Sequence, residues 1–429
     1  MLKKTTLFIL SKLSKLIITK HKPFVIGITG TVGKTTASNF TYEFLSNLYS
    51  KDVYISPYDY NGEFGLPLTI LQSKSPNKNV FLWILVFIKS IYLYFNKNYP
   101  KYLILEYGID HIGEMEFLTD IVKPDIAILL NISPNHVMQF PDYSDYIKEK
   151  ILLGKVSKKV IYNSDDENLS KYLKKLPNSY SFSAKNESSN LFAKNIESSI
   201  SGLNFSICDS SNCTEVNYSI LGDHQVYNIL PVFLLGELLN INLEKVKDIL
   251  KEVHPQKGRG TILKGVRDSI IIDGSYNGGF ASISSGVKYI QNLEGDFNKI
   301  LFLGEMRELG NESKKIHTEL VDILLNSGYN YLVLVGEEMK KYVYESIKEK
   351  LGEGNVFYYN SSKDAGNKVR EIIKSTETKS IIYVKGSQNT IFLEEGIKNF
   401  LFDMQDSKKL CRQSDNWLKI KEDFFSHIL

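Results

Sequence analysis

The run GITGTVGKTT (27–36) has the residue types and spacing of a phosphate-binding loop. Glycines at 30 and 33 allow successive backbone N–H groups to curl around phosphate oxygens, where a Cβ would clash. The run follows an apolar stretch, PFVIGIT (23–29), and leads into the helix-like SNFTYEFLSNLY. In that strand–loop–helix context the helix N-terminus adds its partial positive charge. Lys34 is then placed to reach the β- and γ-phosphates, and the Thr35 hydroxyl to hold Mg²⁺. The spacing departs from the common pattern, which wants a glycine where Ile28 stands. Two further groups could join this chemistry. Glu106 ends the predicted strand of LEYGIDHIGEM (105–115), where open α/β sheets place ligand groups. His136 follows the next predicted strand, in NISPNHVMQF (131–140), and pairing it with Glu106 beside a phosphate loop favours a metal role.

Positioning such groups requires parallel strands. PFVIGIT (23–29), YLILEYG (102–108), DIAILLN (125–131) and KKVIYN (158–163) read as buried strands separated by helices. Between about 180 and 220 the texture becomes Ser- and Asn-rich with alternating apolar residues, which predicts a small antiparallel sheet. A second series follows: KILFLG (299–304), YLVLVG (331–336), NVFYYN (355–360) and SIIYVKG (380–386). The break falls at HPQKGRG (254–260), which precedes a fresh strand pair. The fold class is therefore α/β. A P-loop ATPase domain (23–258), with a mostly parallel sheet and a small β insert, precedes a Rossmann-like α/β domain (259–429).

Composition narrows the function. The 52 basic and 49 acidic side chains leave a charge of +3, which gives no reason to expect a nucleic-acid partner. Cys208, Cys213 and Cys411 make no disulfide framework and no CxxC pair, so a reduced, cytosolic compartment is expected. Residues 1–22 form a basic amphipathic helix rather than a signal peptide, because lysines interrupt the apolar run. Leu7, Phe8, Leu10, Leu13, Leu16 and Ile17 recur at helical spacing, with Lys12, Lys15 and Lys20 on the remaining faces. VFLWILVFIKSIYLYF (80–95) is too short to span a bilayer, which takes ~20 apolar residues. It reads as a buried or half-buried helix, or as an interfacial one. In the second case helices 1–20 and 80–95 would make a surface for a membrane or a protein partner.

TGTVGKT, from Thr29 to Thr35, resembles the phosphate loop of the Mur ligases, and further segments extend the resemblance to the MurF branch. NGEFGLPLTIL (61–71) is similar to that branch's NNEIGVPLTLL segment, LEYGIDHIGEM to LEMGANxPGEI, and LGDHQVYN (221–228) to GxHNxxN. IIDGSYNGGF (271–280) parallels DDSYNANP, with Gly274 in place of the second acid. LGEMRELG (303–310) with His317 resembles LGDMxELGxxxxxxH, and KGSQNT (385–390) resembles KGSR with Gln388 at the arginine.

The resemblance implies nucleotide contacts by Thr29, Gly30, Thr31, Gly33, Lys34, Thr35 and Thr36, with Asn228 at adenine. Gln225 stands where the family has Asn. It implies that Arg259 reaches the γ-phosphate and that Asp273 contacts the nucleotide. It also implies a lysine carbamylated by CO₂ at Lys150, with Lys148 close enough to compete. The cofactors would be ATP and two Mg²⁺ ions, one at Thr35 and one at Glu106, His136 and the carbamylated lysine. The reaction would join a carboxylate to an amine through an acyl phosphate, with domain closure excluding water. In peptidoglycan precursor synthesis the amine would be D-alanyl-D-alanine or a related amino acid or dipeptide. The loop begins at residue 27, so the family's N-terminal UDP-binding domain is expected to be absent. Other substrates stay open, among them lipid-linked muropeptides and capsule poly-amino acids. Folylpolyglutamate synthases are disfavoured by GKTT and LGEMRELG. A decayed nucleotide-binding scaffold is the non-enzyme alternative.

Overall fold

Eight apolar runs picked out in the sequence become parallel strands, because helices cover both faces of the sheets that hold them. The computed structural model describes every residue except Met1, Asp59, 77–78, 134–139, Pro141, Glu308, Glu353, Asn389 and Leu429. The chain divides into two compact units. The first comprises residues 1–198, 203–219 and 223–253, and the second 199–202, 220–222 and 254–429.

The first unit is built on a nine-stranded sheet. Its strands are β1 (Phe24–Thr29), β2 (Val53–Ile55), β3 (Tyr102–Glu106), β4 (Ile126–Leu129) and β5 (Lys159–Asn163). They are followed by β6 (Ser179–Ser183), β7 (Leu191–Ser199), β8 (Gly202–Cys208) and β9 (Cys213–Tyr218). The order is β2-β3-β1-β4-β5-β6-β7-β8-β9. β1 therefore lies between β3 and β4, parallel to both, and the chain leaves it where successive connections diverge. Open α/β sheets bind ligands at such a switch point.

Two expectations need correction here. The segment around 180–220 is not a separate antiparallel sheet. β6 pairs parallel with β5, β7 parallel with β6, and β8 antiparallel with β9, all on one continuous sheet. Alternating polarity shows that one face is covered but not which edge a strand joins. The cysteines also depart from the expected free thiols. Cys208 and Cys213 are register partners at the turn end of β8–β9 and are joined by a disulfide, while Cys411 is free and buried.

The second unit holds β10 (Thr261–Lys264), β11 (Ile270–Gly274), β12 (Asn298–Gly304), β13 (Tyr331–Val335), β14 (Val356–Tyr359) and β15 (Ser380–Lys385). The order is β10-β11-β15-β12-β13-β14, with only β10 antiparallel. Separate apolar clusters include Leu301, Leu303 and Leu332 in one and Ile300, Phe302 and Val333 in the other. Neighbouring residues of one strand thus feed different clusters, as the pleat requires.

Helix Ser362–Ser375 meets helix Leu393–Ile397 at two glycines. A Cβ on Gly366 would stand 2.2 Å from the Gly396 carbonyl oxygen, and one on Gly396 2.3 Å from that of Ser362. Backbone cannot yield as a side chain can. Gly366→Ala is expected to lower stability by about 1–3 kcal/mol, the usual cost of overpacking. Urea titration followed by far-UV dichroism measures it, and an unchanged midpoint would refute the close approach.

Candidate active site

The phosphate loop is held from three sides. Thr29 donates its hydroxyl to the Tyr107 carbonyl at 2.7 Å, tying the end of β1 to the end of β3. Asn131, just beyond β4, accepts from the N–H groups of Thr31 and Val32 at 3.1 and 2.9 Å. Its amide donates back to the Val32 carbonyl at 2.8 Å. The Thr31 hydroxyl lies 3.1 Å from that of Tyr146. Gly33 caps helix Lys34–Tyr49 in the left-handed region, with φ 92°. A Cβ there would stand 2.5 Å from the Asn228 side-chain oxygen. Gln225, the departure from Asn, accepts the Asn228 amide at 2.9 Å and so fixes which way that amide points.

The cations converge on one oxygen. Lys34 Nζ donates to the Gly30 carbonyl at 2.8 Å, and Lys150 Nζ donates to the same carbonyl at 3.3 Å. Lys150 is 2% exposed and lies over the Tyr146 ring, 5.0 Å from its centroid. Burial, aided by the Lys34 charge and opposed by Asp110, pushes its ammonium well below the usual lysine range. CO₂ adds only to an uncharged amine, so this is the environment that carbamylation needs. Lys148 is unlike it: exposed, bonded to Asp145 at 2.8 Å and held above its ordinary value by that bond.

Thr35 donates its hydroxyl to Glu106 Oε2 at 3.2 Å, and Thr36 follows in the first turn of the same helix. A hydroxyl and a carboxylate so close are the hard oxygen donors that Mg²⁺ takes, so the donor set fits that ion. His136 lies outside the described residues. Among the described residues, no three His, Cys, Asp or Glu side chains cluster as a metal site.

A polar cavity of about 330 Å³ is lined by Tyr60, Asn61, Glu63, Asp110, His111 and Glu114, among others. It forms where two of the sequence segments meet: the Gly108 N–H donates to the Asn61 carbonyl at 2.5 Å. Glu114 accepts from the N–H groups of Asp110 and His111 at 2.6 and 3.1 Å, shaping the turn.

The second unit gathers the remaining segments at the C-terminal ends of β11, β12 and β15. Arg259 stacks on the Tyr276 ring at 4.5 Å, and Arg412 approaches the same ring at 5.6 Å. Arg412 donates to the carbonyls of Ser275 and Tyr276 at 2.9 and 2.8 Å. Its guanidinium is forked onto Glu394 at 2.8 and 2.7 Å. Asp273 accepts from the Ser275 N–H at 2.9 Å; burial pushes its carboxyl up to about 6, with the Ser275 bonds opposing. Lys385 crosses Gly274, where a Cβ would meet its Cδ at 2.8 Å; burial lowers its ammonium to about 8. Gly274, the missing second acid, thus makes room for a lysine. His317 accepts the Met306 N–H on Nε2 at 3.1 Å, with Nδ1 2.8 Å from the Ser313 carbonyl. Its place is structural, holding the loop after β12.

The Mur ligase middle domain profile matches residues 28–236. The UDP-N-acetylmuramoyl-tripeptide–D-alanyl-D-alanine ligase of Buchnera aphidicola is 29% identical over 410 residues, covering 92% of this chain and 80% of that protein. The enzyme of the same name from Borreliella burgdorferi is 27% identical over 406 residues, covering 89% and 75%. The crystal structure of the Thermotoga maritima MurF ligase in complex with ADP shares the fold, with TM-score 0.74 and 20% identity over 94% of this chain and 84% of that one. The chain thus carries a Mur ligase middle domain, and its similarity to MurF enzymes runs along most of its length.

This MurF-like chain is accordingly an ATP-dependent acid–amino-acid ligase. Several of its site-building residues escape sequence reasoning. Asn131 looks like an ordinary strand-end Asn, Asp110 sits in a loop, and Arg412 lies 136 residues from the carbonyl of Tyr276 that it holds. Only position in the sheet could have hinted at Asn131.

Gly33→Ala puts a Cβ against Asn228 and strains φ at once. Nucleotide binding is expected to weaken at least ~10-fold, measured by calorimetric titration with ADP. Wild-type affinity would show that the loop does not depend on this glycine.

Proposed function

We propose that the protein joins a muropeptide carboxylate to the amine of D-alanyl-D-alanine, or of a related amino acid or dipeptide, in peptidoglycan precursor synthesis. The relatives' names supply the substrates. The observation that carries the chemistry is the convergence of Lys34 and Lys150 on Gly30, beside the Thr35–Glu106 pair. In this reading a carboxylate oxygen attacks the γ-phosphorus of ATP and ADP leaves. The amine then attacks the acyl carbon, the amide forms, and phosphate departs as the nitrogen loses its proton. Such transfer needs positioning and charge neutralisation more than covalent catalysis.

Each site residue takes a role here. The loop from Thr29 to Thr36 cradles the phosphates, Lys34 neutralises the transferring group, and Asn228 faces the base. Arg259 and Asp273, from the C-terminal domain (259–429), are assigned to the same nucleotide. Two Mg²⁺ ions, when bound, would be held one by Thr35 and the other by Glu106, His136 and a carbamylated Lys150, and would neutralise phosphate charge. The polar cavity beside Asp110 is assigned to the muropeptide, whose amides and carboxylates suit its N–H groups and side chains.

A second substrate reading, a lipid-linked muropeptide, is favoured by one observation. Helix Val80–Phe95 is half-buried: Val86 and Leu93 join the core, while Phe81, Leu85, Ile88 and Phe95 are exposed to solvent. Peripheral contact with a membrane or a protein, through helices 1–20 and 80–95, belongs to the same proposal, as does a cytoplasmic location.

Phosphate release with UDP-muramoyl tripeptide and D-alanyl-D-alanine, against a lipid-linked equivalent, tests both readings. Lys34→Ala is expected to lower turnover by ~100-fold or more, since a fixed charge at the transferring group is lost. Near-wild-type release would remove the loop from the mechanism. Lys150→Ala is expected to be inactive and partly restored by short carboxylates, with Lys148→Ala close to wild type. Full activity of Lys150→Ala would exclude the carbamylated ligand.

A further inference from the structure

We propose that helices Leu2–His21 and Val80–Phe95 form a docking surface for an anionic lipid bilayer, on which the protein rests without crossing it. This deepens the peripheral-contact part of the proposed function by naming the partner, and does not depend on the ligase chemistry.

The apolar helix has no polar face. Phe81, Ile88, Ile91 and Phe95, spaced three, four or seven residues apart, are between 58% and 79% exposed. On the N-terminal helix Phe8 and Leu16 are 61% and 55% exposed. The opposite sides face inward: Leu10, Ile17, Val86 and Leu93 are buried in one cluster. His21 joins the two helices, with Nε2 2.9 Å from the Leu93 carbonyl and its ring stacked on Tyr99. The exposed side chains thus stand on a fixed platform. Scattered exposed leucines need no explanation, but a helix that turns aromatic and aliphatic residues outward along its whole length does.

Charge identifies the occupant. The two helices carry six lysines, at 3, 4, 12, 15, 20 and 89, and no Asp or Glu. Lys15 is paired with Asp120 on a neighbouring helix, a pair exposed enough to be weak. Lys4, Lys12 and Lys20 are exposed, with Lys20 5.7 Å from the Tyr94 ring. Apolar side chains bordered by cations of one sign complement acyl chains beneath anionic headgroups. A second copy of the chain would oppose lysine to lysine, which disfavours a symmetric dimer. Crossing is excluded by length: no helix among the described residues is long and apolar enough.

The test is co-sedimentation with vesicles of equal parts phosphatidylcholine and phosphatidylglycerol, beside vesicles of phosphatidylcholine alone. The protein is expected to pellet with the anionic vesicles at low salt and to be released as salt rises. Phe81→Glu with Ile88→Glu should cut that binding ~10-fold or more, leaving the thermal midpoint and phosphate release with soluble UDP-muramoyl tripeptide unchanged. Lys12→Glu with Lys20→Glu should weaken binding to anionic vesicles without unfolding the chain. Protein that stays in the supernatant with anionic vesicles overturns the proposal. So does a wild-type dimer in light scattering that Phe81→Glu with Ile88→Glu converts to monomer. A loss of ligase activity in wild type, with vesicle binding intact, would count against the catalytic reading alone.

Discussion

Two lysine ammonium groups donating to one carbonyl oxygen are an electrostatic conflict built into the centre of the first unit. Lys34 and Lys150 both reach Gly30, and the Lys34 charge adds to the burial that disfavours charge on Lys150. Two changes relieve such a pair: an anion arriving between them, or loss of one charge. On the proposed function, a nucleotide's phosphates would do the first, and addition of CO₂ to Lys150 would do the second, turning a cation into an oxygen donor. The buried Tyr146 ring under Lys150 keeps water away and so sharpens the demand.

That conflict can be sustained only because the loop is fixed by the sheet. β1 lies between β3 and β4, so Glu106 and Asn131 arrive at the loop from the two neighbouring strand ends. Neither needs a long or flexible side chain to reach it. Asn131 restrains two loop N–H groups with one carbonyl oxygen, and Gly33 leaves the space that Asn228 fills. A one-residue slip of β4 would turn Ile128 and its neighbours to the wrong face, so the buried sheet defends the geometry of the loop.

The parts of this arrangement visible in the sequence are those written locally. Strands such as β4, β12 and β15 are covered on both faces, so they read as continuous apolar runs between helices. The phosphate loop is ten consecutive residues, and Glu106 is marked by its strand end. β2, three residues long, and β6, Ser-Tyr-Ser-Phe-Ser, carry too little apolar pattern to be seen. The junction of the 180–220 segment with the main sheet is likewise unwritten, because edge pairing uses backbone groups common to all residues. Lys148 and Lys150 cannot be separated in sequence either. They lie on different sides of one helix, and only the packing of helix Tyr143–Val156 buries one and exposes the other.

The second unit solves a similar positioning problem with buried charge. Arg412 and Glu394 are 4% and 0% exposed at their side chains, and Lys421 bonds Glu394 and Glu395 at 2.8 Å each. Desolvation of such groups offsets much of their attraction, so their net contribution to stability is small, while removal of one partner strands the other. What the network provides is direction. A guanidinium forked onto a carboxylate has its remaining N–H groups fixed in plane, and here they hold the carbonyls of Ser275 and Tyr276. Tyr276 then presents its ring to Arg259, and the Ser275 N–H reaches Asp273. An apolar cluster of equal volume would pack as well but would not aim the loop. The charges are therefore better understood as orienting Tyr276 and Asp273 than as glue for helix Asp415–Ser426.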